Sequence, residues 1–372
     1  MKRRCAYNAV AAIFLLVCAQ VAMAQTQLGT VQLDDFPQTI GFNPVTNKIY
    51  VVNEPSSELV EIDGISFQPT VISLGATSQK SLNAVMQINP ITNTIYVING
   101  TDNDVAIVNG ATHAVSFAAT GSGTTDIKVN LTTNMIYVAN FNSNTVTAIN
   151  GLTNATKTIP VGTNPTAIAI DEKNDRIYVA NQNSNNVSVI YGVSNKVIET
   201  LAVGTSPIAI VANPTTNTIF VANLLSSNIS VISGRTNTVS SVAVSSFPFI
   251  MVINPVTNKI YFTRQVGSPI TVLDGATLSL TEVPAGTFPL ALAVDQVRNK
   301  IYVADFTGGQ IVIIDGLTND TTSVTGIANP DKVDVNPLTN EFYVMNNSAH
   351  FVTFFEANPA ALPFSLLEQL GQ

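Results

Sequence analysis

Two histidines, His113 and His350, are all the imidazole in this chain of 372 residues. A zinc site built on three histidines is excluded, and serine-based catalysis has few bases to draw on. Both cysteines, Cys5 and Cys18, lie in the first 24 residues, so the rest of the chain carries no thiolate. The Gly-x-x-Pro segments at Gly162, Gly204 and Gly286 each lead into a strand-like run, whereas a phosphate cradle opens a helix. What remains is a sparse set of charges at corresponding positions. Asp126 with Lys128, and Lys332 with Asp334, are opposite charges two residues apart, which places each pair on one side of a strand. Such a carboxylate can hold a cation, or act as a general base once its pKa is shifted. Unpaired and buried, each ion would cost several kcal/mol, so these groups should be paired or wet.

The elements that carry these residues are read from a repeat. The octapeptide NPVTNKIY stands at 43–50 and again at 254–261. Weaker copies align Tyr50, Tyr96, Tyr137, Tyr178, Phe220, Tyr261, Tyr302 and Tyr343, with 41 residues in five of the seven intervals. Each unit holds four short runs rich in Val, Ile, Tyr and Thr; unit four reads PTAIAID, RIYVANQ, NVSVIYG and KVIETLAVG. None has helical periodicity, so they are strands. The octapeptide is a turn: Asn43 can bond its own backbone two residues on, Pro44 fixes φ, and Asn47 tolerates the left-handed conformation. An Asp-Gly or Asn-Gly turn, as at Asp63-Gly64 and Asn150-Gly151, links strand three to strand four.

Strand two is apolar on consecutive residues, which requires cover on both faces. Four-stranded units of this length, each clamped by its neighbours, describe an all-β propeller of eight blades, with seven as the alternative. A linear solenoid would need polar capping units, and none is evident. The segment Leu28 to Leu33 reads as an outermost strand lacking its other three, while DKVDVN, EFYVMN and HFVTFF near the end lack a fourth. Joining them closes the ring; LPFSLLEQ competes for the same place.

In this frame strand one lines the channel. Its two inward positions are small or apolar in most units: Thr39 and Gly41, Ala167 and Ala169, Ala209 and Val211, Ile250 and Val252, Ala291 and Ala293. The exceptions are Val85 and Gln87, Asp126 and Lys128, and Lys332 and Asp334. At the channel mouth, strand-ending Asn53, Asn99, Asn140, Asn181, Asn223 and Asn346 either cap their own turns or form a polar rim for sugar-like or peptide ligands. Arg264 and Asp305 interrupt this series as an expected opposite-charge pair between adjacent blades. His350 falls in a mouth loop, and His113 beside a turn between strands three and four, facing solvent. Asp102, Asp104 and Glu54 lack the dense acidic spacing of a calcium loop.

The tetrapeptides YVVN at Tyr50, YVIN at Tyr96, YVAN at Tyr137 and Tyr178, FVAN at Phe220, YVAD at Tyr302 and YVMN at Tyr343 resemble those of the YVTN-repeat β-propellers. The recurring NGLTN or DGLTN segment resembles that family too. The resemblance implies an exported propeller, similar in outline to surface-layer and lactonase-like proteins and commonly seven-bladed. It maps no catalytic residue here, and unit six departs from it with YFTR.

Residues 1–24 read as a secretory signal peptide, with Lys2, Arg3 and Arg4 ahead of an apolar run and Ala22-Met23-Ala24 at its end. Residues 25–356 form the propeller and 357–372 a tail. The formal net charge is −8, and the signal segment holds three of the basic residues, so nucleic acid is an unfavourable partner. These features point to an exported, non-catalytic binding or cell-surface scaffold, periplasmic or extracellular. It would be monomeric, without cofactor, metal or a transmembrane anchor after cleavage, and would take a protein, peptide or glycan at the channel mouth. The other reading is a lactonase-like hydrolase that uses the channel-mouth carboxylates.

Overall fold

A strand that is greasy on both sides is stable only between two other sheets. The computed structural model describes residues 25–54, 56–75, 85–99, 102–265, 267, 269–346 and 348–357. Its 32 strands, β1 to β32 in chain order, form eight four-stranded antiparallel sheets. Blade one runs outward from the axis as β2 (Phe36–Asn43), β3 (Lys48–Glu54), β4 (Glu58–Asp63) and β5 (Pro69–Ser73). The six blades that follow repeat this order. The inner strands touch one another in sequence around the circle, blade eight meeting blade one.

Blade eight is assembled from both ends of the chain. It contains β30 (Lys332–Asn336), β31 (Glu341–Asn346) and β32 (Phe351–Glu356), and its outer strand is β1 (Thr26–Gln32). β1 runs antiparallel to β32 with Val31 opposite Val352, and Leu33 N–H donates to His350 C=O at 2.7 Å beyond the strand end. The expected closure by Leu28 to Leu33 is thus the observed one, and the count is eight, not seven. LPFSLLEQ, the signal segment and most of the tail lie outside the described residues.

The hydrophobic core consists of eight clusters, each straddling one seam between adjacent blades. Ile49 and Val51 pack against blade eight, while Tyr50, between them in β3, packs against blade two. The two-residue period of the strand therefore feeds two different cores, which is why strand two carries no polar face. Ile49, Tyr50 and Val51 are each 0% exposed.

The octapeptide does more than turn the chain. Asn43 Oδ1 accepts from Val45 N–H at 3.0 Å, as expected, and Asn47 has φ 52°. Asn43 Nδ2 also donates across the seam to Asn93 Oδ1 of blade two at 2.8 Å. The same link recurs from Asn89 to Asn134, Asn213 to Asn258 and Asn254 to Asn299, and from Asn336 back to Asn47. This belt of side-chain amides joins blades beneath the core. The turn between strands three and four is wider than the expected two-residue hairpin. Phe67 N–H returns to Asp63 C=O, and the left-handed residue is Phe67, not Gly64. Gly64 is needed for room, because a Cβ there would lie 2.6 Å from the Asn47 carbonyl oxygen.

Candidate functional site

The inner-strand positions expected to face the open channel instead turn into the seam with the following blade. Ala167 and Ala169 of blade four pack with Ile210 of blade five, and a Cβ on Gly41 would meet Met86 of blade two at 2.8 Å. The polar residues at these positions therefore lie near the axis between two inner strands, half screened from water.

Asp126 and Lys128 form the expected pair, with Lys128 Nζ 2.8 Å from Asp126 Oδ1. The other carboxylate oxygen accepts from Ile168 N–H of blade four at 2.8 Å, so Asp126 also ties two inner strands together. Its side chain is 13% exposed and that of Lys128 36%, which leaves the ammonium as the group available to a ligand.

Lys332 and Asp334 do not form the expected pair; no ion pair joins them among the described residues. Asp334 folds back to accept its neighbour's Val335 N–H at 2.9 Å, while Lys332 opens β30 at the mouth beside Asp331. Val333 and Val335 pack toward blade seven, so Lys332 and Asp334 face the closure seam with blade one. The half-buried carboxyl loses part of its hydration in the seam, and this desolvation pushes its pKa up to about 6. Burial also lowers the Lys332 pKa, with the Asp331 charge opposing. Gln87 shares its side of the strand with Val85, which packs into the seam between blades two and three.

The expected asparagine rim is absent as a ligand surface. Asn140, Asn181 and Asn223 are each 0% exposed; their Nδ2 groups bond within their own blades and their Oδ1 atoms are buried without a hydrogen-bond partner. Asn181 Nδ2 donates to Asn186 Oδ1 at 2.8 Å and Ser188 Oγ at 3.0 Å, and Asn140 and Asn223 bond equivalent partners. These amides tie the end of strand two to the start of strand three within one blade.

Arg264 and Asp305 do not meet. Arg264 reaches outward along its own sheet to Glu282, and Asp305 is enclosed by donors of its own blade. Burial pushes the Asp305 pKa up, but N–H groups of Phe288, Thr287 and Gly308 and the Gln310 amide outweigh it and hold it below its ordinary value. His350 takes a left-handed conformation with φ 55°, and its ring lies edge-on to Phe36 with centroids 4.2 Å apart, at the mouth of the closure seam.

His113 is not simply solvent-facing. It lies 3.2 Å from Glu61 Oε2 in the neighbouring blade, and Tyr50 Oη donates to the same oxygen at 3.1 Å. Lys48 Nζ sits 3.3 Å from Glu61 Oε1. Glu61 occupies a strand-three position that is apolar in the other seven units, a signal that aligning the repeats could have exposed. Among the described residues no three His, Cys, Asp or Glu converge as metal ligands, and no helix is long and apolar enough to cross a membrane.

Comparison with known proteins supports the architecture and leaves the chemistry open. No family model and no curated protein sequence matches the chain. Solved structures do match. Hydrazine synthase of Kuenenia stuttgartiensis aligns with TM-score 0.59 and 19% identity over 73% of this chain and 94% of its own. The Cps50 (Swd1) β-propeller domain of Myceliophteria thermophila aligns with TM-score 0.60 and 7% identity over 90% and 100%. Virginiamycin B lyase from Staphylococcus aureus aligns with TM-score 0.57 and 10% identity over 89% and 99%. The chain is a β-propeller. At these identities the likeness covers the fold alone.

Proposed function

We propose that this chain is an exported, non-catalytic binding propeller of the YVTN-repeat kind, taking a protein, peptide or glycan at its channel mouth. One observation carries the reading. Charged and amide side chains at the inner-strand positions are confined to the seams between blades eight and one, two and three, and three and four, and the remaining seams carry only small or apolar residues, Thr39 apart. An otherwise monotonous ring is thereby polar along one arc, with Lys332, Lys128 and Gln87 as donors and Asp334 as an acceptor. Phe36 and His350 border that arc with an exposed aromatic edge. Export and a periplasmic or extracellular location rest on the signal-like first 24 residues, and the negative net charge argues against nucleic acid.

The test is an array of glycans and peptides probed with residues 25–372, followed by titration of the hits with Lys332→Ala and Gln87→Ala. Loss of about tenfold in affinity in both variants, with unchanged melting, supports the reading. Hits indifferent to both variants refute it.

A hydrolytic alternative draws on Asp334. A carboxyl with pKa near 6 can accept a proton close to neutral pH, as a general base requires. A panel of lactones distinguishes the two: turnover abolished by Asp334→Asn with the fold retained would favour the enzyme, and absence of turnover the binder.

A further inference from the structure

The face opposite the mouth carries the turns from strand one to strand two and from strand three to strand four, and apolar side chains stand out from it. Among the described residues the eight most exposed large apolar side chains all occupy one position, two residues after the one that opens a turn. Val45, Ile91, Val256 and Leu338 hold it in first turns, and Ile65, Leu152, Val193 and Leu317 in outer ones. Val297, less exposed, holds it in the first turn of blade seven. The first-turn residues make an unbroken arc around the axis over blades six, seven, eight, one and two, whereas blades three, four and five have Thr132, Lys173 and Thr215 there. We propose that residues 358–372 of this same chain dock along that arc. The proposal does not depend on the channel-mouth reading.

The turn itself does not ask for an aliphatic residue. What it takes from this position is a backbone N–H, donated to the side-chain oxygen of the opening residue: Val45 to Asn43 at 3.0 Å and Leu338 to Asn336 at 2.9 Å. Thr132 and Thr215 make the same bond to Asn130 and Asn213, at 3.0 and 2.9 Å. Any non-proline residue supplies that donor, and a threonine keeps its hydroxyl in water. Exposed aliphatics scattered singly are ordinary on a protein surface, but five on successive blades form a continuous apolar track, which a monomer is expected to cover.

The place where the described chain stops points to the cover. In the first seven blades strand three turns back into strand four, but the outer strand of blade eight is β1, from the other end of the chain. The chain therefore leaves β32 on this face without an outer turn. Ala357 N–H donates to Asn340 C=O at 2.8 Å, and Asn340 Nδ2 donates to Ala357 C=O. Asn340 stands two residues beyond Leu338, the middle member of the arc, so the chain is delivered to the arc's centre. Packed sheets stand about 10 Å apart, which puts either end of the arc roughly 20 Å away along the face. Residues 358–372 span up to about 50 Å when extended. They bring Leu362, Phe364, Leu366, Leu367 and Leu370 against a single charge, Glu368, in a chain otherwise rich in polar surface. A second copy of the protein would cover the arc but leave those five side chains in water. Docking in cis removes both apolar surfaces at once.

A tethered segment meets its site at an effective concentration on the order of 1 mM, so an intrinsic Kd of about 0.1 mM keeps it bound some nine-tenths of the time and slows its cleavage about tenfold. Chymotrypsin reads this on residues 25–372, with cleavage after Phe364 followed by mass spectrometry and a synthetic peptide of residues 356–372 as the uncovered reference. The protein is expected to be cut there about tenfold more slowly than the peptide, at any protein concentration. The variant Val45→Thr/Ile91→Thr/Val256→Thr/Val297→Thr/Leu338→Thr should be cut at the peptide's rate. Its fold should hold, since blades three and five already carry threonine at this position. A second variant, Leu366→Ser/Leu367→Ser/Leu370→Ser, touches no blade and should lose the protection as well, measured against its own peptide. Val193→Thr, on blade four across the face, should keep it. Cleavage of the parent at the peptide's rate, protection retained in either multiple variant, or protection lost in Val193→Thr would each overturn the proposal. Protection that rises with protein concentration would assign the arc to a second copy and overturn it too.

Discussion

Replacing Asp334 by Asn should stabilise the protein, and by an amount that depends on pH in a definite direction. The carboxyl moves from an ordinary pKa of 3.8 to about 6 because the closure seam strips its water. In the window between those values the folded chain holds a proton that the unfolded chain has released, so stability falls as pH rises through it. Above the window both states are ionised and the full penalty persists, with a ceiling of roughly 3 kcal/mol at 1.36 kcal/mol per pH unit of displacement. Water in the channel screens part of it, so about 1.5–3 kcal/mol is expected near neutrality. Asparagine keeps the shape and the acceptor for Val335 N–H without the charge. Thermal or urea unfolding of both proteins from about pH 4 to about pH 8 reads the difference. The two should lie within about 0.5 kcal/mol of each other at the acid end and diverge by a few °C above about pH 6.5, with Asp334→Asn the more stable. Curves that stay parallel across this range would show that the carboxyl is freely hydrated and refute the reasoning.

Three further outcomes follow from the packing. Gly64→Ala should cost more than about 2 kcal/mol in urea titrations, because the new Cβ would fall 2.6 Å from the Asn47 carbonyl oxygen, a backbone atom held in place by its hydrogen bond from Gly64 N–H. Asp171→Asn should raise stability by about 1 kcal/mol, since the new amide can donate to the unpartnered Asn217 Oδ1 as its counterparts do at other seams; a neutral or negative change would contradict the amide belt. Arg264→Ala should change the melting temperature little, with a cost under about 1 kcal/mol, because its partner Glu282 has a side chain 53% exposed and Asp305 is held independently.

Much of the architecture is legible in the sequence because the physics that sets it is local and repeated eight times. Asn43, Asn47 and the double-faced Ile-Tyr-Val runs specify turns, strands and seams from short windows. Closure by β1 is legible too, since Leu28 to Leu33 has no other three strands to join. The site residues are less so. Whether Lys332 reaches Asp334, or Arg264 reaches Asp305, depends on side-chain direction at a seam, which strand alternation alone leaves open. The strand-ending asparagines show the same limit: a series of amides looks like a rim, yet Ser188 and Ser230 in the adjacent strands draw two of them inward. The amide belt and the His113–Glu61 contact join residues 45 to 52 positions apart, and 289 apart where the ring closes, and only the blade-to-blade register reveals them.

Every placement here depends on β1 completing blade eight. Thr30 and Thr353 are register partners, with hydroxyl oxygens 3.5 Å apart. In residues 25–372, which contain no cysteine, Thr30→Cys/Thr353→Cys should oxidise almost completely to an intramolecular disulfide and raise the melting temperature. Closing so long a loop is worth on the order of 5 kcal/mol in the chain-entropy account. Free thiols after oxidation, or a bond formed only between molecules, would contradict the closed ring.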